Sequence, residues 1–295
     1  MSLFNTLKHL VNHPLNKPNK MAAIIRFLKW QAGSRLVPGG VIYQWVNKSM
    51  VVVRPGEDGI TGNIYCGLHE FPDMAFLLHT LRANDLFVDI GANAGSYTIL
   101  ACSAIGARGY CFEPVPSTYE RLMTNIRLNN IGERVVALNI ALGNSRGKIN
   151  FSSDQDAMNH VLSENEDEKN KIIVDVATLD DELIGDPFLM KIDVEGYETP
   201  MLKGAEKTLK NEELCGVIME LNGSGNRYGH DESEILSMMF RYGFKTYSYK
   251  PFERSFINLE GKNLSGGNTI FIRNMDRVLG RIQKAPRIAV HGVSI

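Results

Sequence analysis

The segment Phe87-Val88-Asp89-Ile90-Gly91-Ala92-Asn93-Ala94-Gly95-Ser96-Tyr97-Thr98-Ile99 constrains the fold of this chain more than any other. It reads as a buried strand, a glycine-rich turn and the first turn of a helix. A doubly wound α/β domain builds a nucleotide-type pocket in this way, at the C-terminal edge of its sheet. The dinucleotide fingerprint G-x-G-x-x-G sets a pyrophosphate on the helix N-terminus. Here the pattern is D-x-G-A-N-x-G: the middle glycine is missing and an acid, Asp89, stands at the strand end. Gly91 permits the tight turn, and Gly95 is expected to let a ligand approach the helix closely. The segment suits a ligand with an amino group better than a pyrophosphate.

From Leu86 onward strand and helix signals alternate, which predicts a parallel sheet covered on both faces. Strands are expected at 86–90, 109–113, 135–140, 188–193, 216–221, 244–249 and 268–273. A helix runs from about Gly95 to Ile105 with Gly106 as its stop. Another follows Pro114, where Ser117-x-x-Glu120 reads as a capping box. Further helices fit 199–209 and 232–242. No helix fits between the last two strands, so they should pair antiparallel. An insertion carries a hairpin of 147–151 with 171–176 around a polar segment, whose acidic cluster Glu164, Glu166, Asp167, Glu168 reads as a solvated loop.

The first 80 residues read as an extension: two helical pieces broken between Pro14 and Pro18, then short strands at 41–46, 50–53 and 62–65, then a helix over 74–81. Residues 81–275 form the main domain, and 276–295 a basic tail. At 295 residues, 44% hydrophobic and 22% charged, the chain can bury a sizeable core. Its net charge of −1 gives no overall pull toward nucleic acid. Residues 1–56, however, hold eight Lys or Arg and no acid before Glu57. In the second helical piece Ile24, Ile25, Leu28 and Ala32 fall at helical spacing. A basic amphipathic helix either lies on an anionic membrane or docks on its parent domain, and docking is the simpler expectation. Cys66, Cys102, Cys111 and Cys215 show no C-x-x-C pair and no nearby His at metal-ligand spacing, so they read as reduced core thiols of a cytoplasmic protein. No apolar run approaches a membrane span, and the N-terminus lacks the apolar stretch of a signal peptide.

Other motifs land at the same sheet edge. Glu113 ends the second strand 24 residues after Asp89, where a carboxylate can take both ribose hydroxyls of a nucleoside. A nucleoside that also carries an amino group points to S-adenosylmethionine. If the fourth strand lies beside the first, Lys191, Asp193 and Glu195 in Lys191-Ile192-Asp193-Val194-Glu195-Gly196-Tyr197-Glu198 meet that ligand's reactive end. Glu220 ends the fifth strand. With Asp193 it could ligate a divalent cation, or it could bond Lys191 or a substrate; no metal is expected. His160, in the insertion, is a general-base candidate because its ordinary pKa of ~6.5 suits proton removal near neutrality.

Three strings make the chain recognisable: Val88-Asp89-Ile90-Gly91-Ala92-Asn93-x-Gly95-x-Tyr97-Thr98, Phe112-Glu113-Pro114, and Lys191 to Glu198. Through them residues 60–275 resemble the FkbM family of S-adenosylmethionine-dependent methyltransferases. The resemblance implies a class I methyltransferase (Rossmann-like) sheet of seven strands, mostly parallel with an antiparallel final strand, behind an N-terminal helical and β extension. It implies O-methylation of a hydroxyl on a sugar, glycan or secondary metabolite. It implies cofactor contacts at Asp89, Gly91, Asn93, Gly95 and Glu113, and active-site acids at Asp193 and Glu195. Ala92, Ser96, Tyr97 and Thr98, in the same turn, are expected to join the cofactor contacts, and Lys191 and His160 the catalytic set. Rival readings are an NAD-dependent oxidoreductase, which predicts the absent G-x-G-x-x-G, and an inactive cofactor-binding protein. Nucleic-acid methylation is disfavoured: no Asn/Asp-Pro-Pro-aromatic string follows the fourth strand, and no Pro-Cys nucleophile exists. Tyr228, Tyr247, Tyr249 and Phe252 are candidates for a sugar platform.

Overall fold

The computed structural model describes residues 3–37, 39–152, 159–162 and 171–295; the acidic cluster of the insertion lies outside them. Helices α1 (Leu3–Asn12) and α2 (Lys20–Gly33) flank the expected proline break, and strands β1 (Val41–Gln44) and β2 (Met50–Val53) pair antiparallel. The third expected strand is instead helix α3 (Asp58–Cys66). Ile60 and Ile64, four apart, bury one helical face there, and Gly67 at φ 86° ends it. Helix α4 (Phe71–Thr80) follows, and none of its residues beyond Pro72 is exposed.

Strand β3 (Leu86–Ile90) is buried at every residue, as a central parallel strand must be. Helix α5 (Ser96–Ile99) continues as a wide π-helical turn over Leu100–Ile105, and Gly106 stops it in the left-handed conformation at φ 86°. Strand β4 (Arg108–Phe112) leads to α6 (Pro116–Leu128). That helix opens two residues earlier than its capping box, because Pro116 at the first position is already set for helix and needs no N–H partner. Strands β5 (Val135–Leu138) and β6 (Ala141–Leu142) come next. The hairpin of β7 (Gly147–Ser152) and β8 (Lys171–Ala177) then pairs Gly147 with Val176 through Ser152 with Lys171.

After α7 (Leu179–Glu182), strand β9 (Pro187–Ile192) lies between β3 and β10 (Gly216–Met219). The helix expected over 199–209 is two pieces, α8 (Glu198–Lys203) and α9 (Glu206–Lys210). They break at Gly204, whose missing Cβ would lie 2.0 Å from the Gly143 carbonyl oxygen. Helix α10 (Glu232–Arg241) precedes β11 (Lys245–Lys250), β12 (Ser255–Asn258) and β13 (Thr269–Ile272). The sheet order is β5-β4-β3-β9-β10-β13-β11-β12, with β13 wedged antiparallel between β10 and β11. This is the class I methyltransferase arrangement with one more strand than expected. The turn through Arg254, at φ 49°, folds β12 back onto β11 as an eighth, edge strand.

Side chains of alternate residues pack both faces. Phe87 and Leu189 join Phe76, Leu100 and the extension's Trp30 and Trp45 on one side; Val88, Ile90, Met190 and Ile192 join Met201, Leu202 and Met239 on the other. The extension is thus built into the main core. So is the tail: helix α11 (Met275–Gln283) packs on α4, and Arg281 lies 3.7 Å over the Phe188 ring and pairs with Asp85. Cys66, Cys102, Cys111 and Cys215 are free and buried. Among the described residues no helix is long and apolar enough to cross a membrane. Helix α2 docks through Ala23, Phe27 and Trp30 rather than through the Ile25, Leu28, Ala32 face, which is exposed.

Candidate active site

A cavity of about 260 Å³ opens at the C-terminal ends of β3, β4 and β9. Asp89, Gly91, Ala92, Asn93, Ser96 and Tyr97 from the first turn line it, with Glu113, Lys191, Asp193 and Glu195 from the neighbouring strand ends. Gly91 has φ 76°, and a Cβ there would sit 1.7 Å from the Asp193 carbonyl oxygen. That glycine allows the turns after β3 and β9 to touch, and Asp193 N–H donates to the Ile90 carbonyl at 3.0 Å. Gly95 and Thr98 are not on the wall. Gly95 is the left-handed N-cap of α5, packed against Leu122. Thr98 is buried and donates to Asp89 Oδ2 at 2.6 Å, fixing that carboxylate from behind.

Glu113 organises the turn as well as facing the cavity. Its two oxygens accept the N–H groups of Asn93 at 3.0 Å and Val115 at 2.9 Å. Each carboxylate oxygen keeps further acceptor capacity for a ligand hydroxyl. Burial pushes Glu113 up to about 7, against those two amide bonds. Burial likewise raises Asp89 to about 6, opposed by Thr98 and by the charge of Lys191.

Lys191 sits beside Asp89 in the sheet register and is 2% exposed. Its Nζ lies 3.0 Å from Asp193 Oδ2 and 5.4 Å from the centre of the Tyr97 ring. Burial opposes its charge, but Asp193, Glu70 and Glu220 more than offset this and hold the ammonium above its ordinary value. One ligand oxygen each from Asp193, Glu195 and Glu220 comes within 4.8 Å of the others. Burial and the Asp193 charge raise Glu195 to about 7 and Glu220 to about 8. Glu195 is held at φ 51°, and Glu198 caps the adjoining turn by accepting Gly196 N–H at 3.1 Å. Glu220 stands next to Asp193 and off the cavity wall.

His160 is buried, with its backbone N–H donating to Ser152 Oγ at 2.9 Å. Its neighbours Asn159 and Val161 line the cavity and it does not, which leaves the imidazole outside the wall. The aromatic platform divides in the same way. Tyr249 is a core residue, 2.7 Å from His79 Nδ1 through its hydroxyl, and Tyr247 packs on Phe256. Tyr228 donates to the Val161 carbonyl at 2.5 Å and stands edge-on to Tyr197, which does line the cavity.

Residues 89–246, just over half of the chain, match the family model of the Methyltransferase FkbM domain. The chain belongs to the FkbM methyltransferase family. Hexuronic acid methyltransferase AglP of Haloferax volcanii is 30% identical over 165 residues, spanning 55% of this chain and 64% of that protein, less than two thirds of its length. The crystal structure of Methyltransferase FkbM from Methylobacillus flagellatus KT superposes with a TM-score of 0.46 at 15% identity, over 85% of this chain and 60% of that one. SMU.1697c from Streptococcus mutans, in complex with SAH, gives 0.40 at 11% identity over 68% and 94%.

The far wall of the cavity comes from outside the matched FkbM domain. Gly59 and Ile60 of α3, His69 and Glu70 at the α3–α4 junction, and Met74 of α4 face the glycine turn. Asn268 Nδ2, just before β13, donates to Glu70 at 2.7 Å and Asp73 at 3.0 Å, fixing this wall. The strand expected over 62–65 hides these residues; the spacing of Ile60 and Ile64 before Gly67 is the signal for a helix instead. The expectation of no nearby His at metal-ligand spacing is also corrected: Cys66-x-x-His69 has such a spacing, and the fold brings the two together with His9.

Proposed function

We propose that this chain transfers a methyl group from S-adenosylmethionine to a hydroxyl of a sugar or glycan. The observation that carries the reading is one cavity lined both by the Asp89–Glu113 pair and by Lys191, Asp193 and Glu195. The donor set fits the cofactor: an acid at the end of β4 offers acceptor capacity for a ribose diol, and an acid at the end of β3 faces the position of an ammonium. S-adenosylmethionine supplies an electrophilic methyl on a sulfonium. The name of the Haloferax volcanii relative, which acts on a hexuronic acid, supports a sugar acceptor.

The protein's own part is positioning and proton transfer. Asp193, partly exposed and held by Lys191, accepts a hydrogen bond from the acceptor hydroxyl and aims its oxygen. Glu195, raised by burial to about 7, takes the proton as the oxygen attacks. Lys191 holds Asp193 in place through its 3.0 Å contact and limits the mutual repulsion of the acids around it. Glu70, His69 and Asn159, also on the cavity wall, contact the sugar's other hydroxyls. The test is binding and turnover together. A thermal shift with S-adenosylhomocysteine and none with NAD is expected, with methyl transfer to a uronic acid or hexose acceptor that Asp193→Asn depresses at least tenfold. Stabilisation by NAD instead, or full turnover by both Asp193→Asn and Glu195→Gln, overturns the assignment.

A further inference from the structure

Helix α2 has an apolar face that the fold leaves bare. Ala23, Phe27 and Trp30 point inward, with Phe27 packed 5.2 Å from the Tyr65 ring. Met21, Ile25 and Leu28, at spacings of four and three, point outward with exposures of 65%, 45% and 58%. Ala32 continues the stripe, and Leu36 and Val37 extend it past the helix end. Lys17, Lys20, Lys29 and Arg35 are exposed around it, and no acid precedes Glu57. Large apolar side chains clustered on one surface mark an interaction site, and a cationic border selects an anionic partner. A second copy of the same face would set cations against cations.

We propose that α2 seats the protein on an anionic lipid bilayer, with Met21, Ile25 and Leu28 at the headgroup–acyl boundary and the lysines on lipid phosphates. The helix that carries this surface is tied to an element of the cavity wall. Gln31 donates to the Tyr65 hydroxyl at 2.8 Å, and Tyr65 belongs to α3, whose Gly59 and Ile60 form part of the cavity wall. Resting on the function proposed above, this makes a membrane-carried glycan the acceptor class. The full chain should sediment with phosphatidylcholine vesicles that contain phosphatidylglycerol and not with phosphatidylcholine alone, and added salt should release it. Lys20→Ala or Lys29→Ala should each weaken binding roughly fivefold. Met21→Glu/Ile25→Glu/Leu28→Glu should abolish it while leaving the thermal transition and S-adenosylhomocysteine binding intact. That variant should keep its rate on a soluble sugar acceptor and lose it on a lipid-linked one. Binding indifferent to phosphatidylglycerol, binding retained by the triple variant, or a lipid-free dimer that the variant dissolves would overturn the proposal. Absent transfer to every acceptor, with vesicle binding intact, would instead strike the enzymatic reading.

A different cluster carries a second inference. His9 of α1, Cys66 ending α3 and His69 beyond it bring one nitrogen or sulfur each within 4.8 Å of the others. The His69 ring lies across α3 where a Cβ on Gly62 would meet its Cγ at 2.5 Å. Tetrahedral zinc, with bonds of ~2.0–2.3 Å, holds such donors about 3.5 Å apart, so closure asks for roughly 1 Å of movement. We infer that these three residues bind a zinc-class dication with one position left open, tying α1 to the α3–α4 junction. Cobalt(II) added to tag-free protein should bind one-to-one, with a thiolate-to-metal charge-transfer band that zinc bleaches. Cys66→Ser should abolish the band, and His9→Ala or His69→Ala should weaken it. Saturating zinc should raise the melting temperature of the wild type alone. Cobalt binding without the band, or unchanged by these substitutions, would overturn the inference.

Discussion

Replacing Lys191 with Met tests whether one buried cation holds the acids of the cavity together. The side chain is 2% exposed, and Met occupies similar space, so the loss is electrostatic rather than a cavity. Breaking a buried pair costs about 3–5 kcal/mol. Asp193 keeps 34% of its side-chain surface in contact with water, which moves the expectation to the lower end, about 3 kcal/mol at about pH 8. With 295 residues, the unfolding entropy is about 0.6 kcal/mol per kelvin, so the melting temperature should fall by about 5 °C. The loss should also depend on pH. Lys191 pulls down the pKa of both Glu195 and Glu220, which burial otherwise raises; without it both rise further. At about pH 5.5 these acids are then neutral and need no counter-charge, so the loss should be less than half as large. Lys191 itself stays charged throughout, because its folded pKa lies above the ordinary lysine value and its stabilisation fades only as pH rises through that folded value. Thermal and urea unfolding of wild type, Lys191→Met and Lys191→Met/Asp193→Asn at the two pH values measure this. An equal loss at both, or a double variant no more stable than the single one, would refute the shared-cation argument.

Thr98→Val removes the hydroxyl that orients Asp89 and should weaken S-adenosylhomocysteine binding about tenfold or more by calorimetry, with little loss of fold. Gly91→Ala should cost several kcal/mol in urea unfolding, because its methyl meets the Asp193 carbonyl oxygen and its φ of 76° is strained for alanine. The ligand-free wild type should lose stability as pH rises from about 5 to 8, by roughly 2 kcal/mol or more. The cause is that Asp89, Glu113 and Glu195 have folded pKa values above their unfolded ones and hold protons the unfolded chain has released. If Glu195 is the base, kcat should rise with pH through about 7, and Glu195→Gln should remove that limb.

The sequence made the donor half legible because its chemistry is local: Asp89 to Thr98 is one strand, turn and helix, and the β9 end repeats the device with Lys191 to Glu198. Adjacency of the two strands stays a condition in the sequence, and the pairing of β3 with β9 meets it. Roles within the segment were less legible. Gly95 and Thr98 read as ligand contacts, yet one is a packed N-cap and the other a support behind Asp89, since spacing does not reveal which way a side chain faces. His160 reads as a base in the same way, yet its neighbours Asn159 and Val161 line the cavity and it does not. The far wall was hidden because α3 follows Pro55-Gly56 and opens on Asp58-Gly59, both of which imitate turns. Its burial of Ile60 and Ile64 depends on the tertiary core rather than on propensity.

The reach of Asn268 across the cavity has a consequence for inheritance. Glu70 and Asp73 are held by a residue nearly two hundred positions later, beyond the far boundary of the matched domain. The cavity is therefore framed by both ends of the chain, while Asp89, Glu113, Lys191, Asp193 and Glu195 all lie inside the matched domain. A change in either flank can reach the cavity wall without touching those five residues.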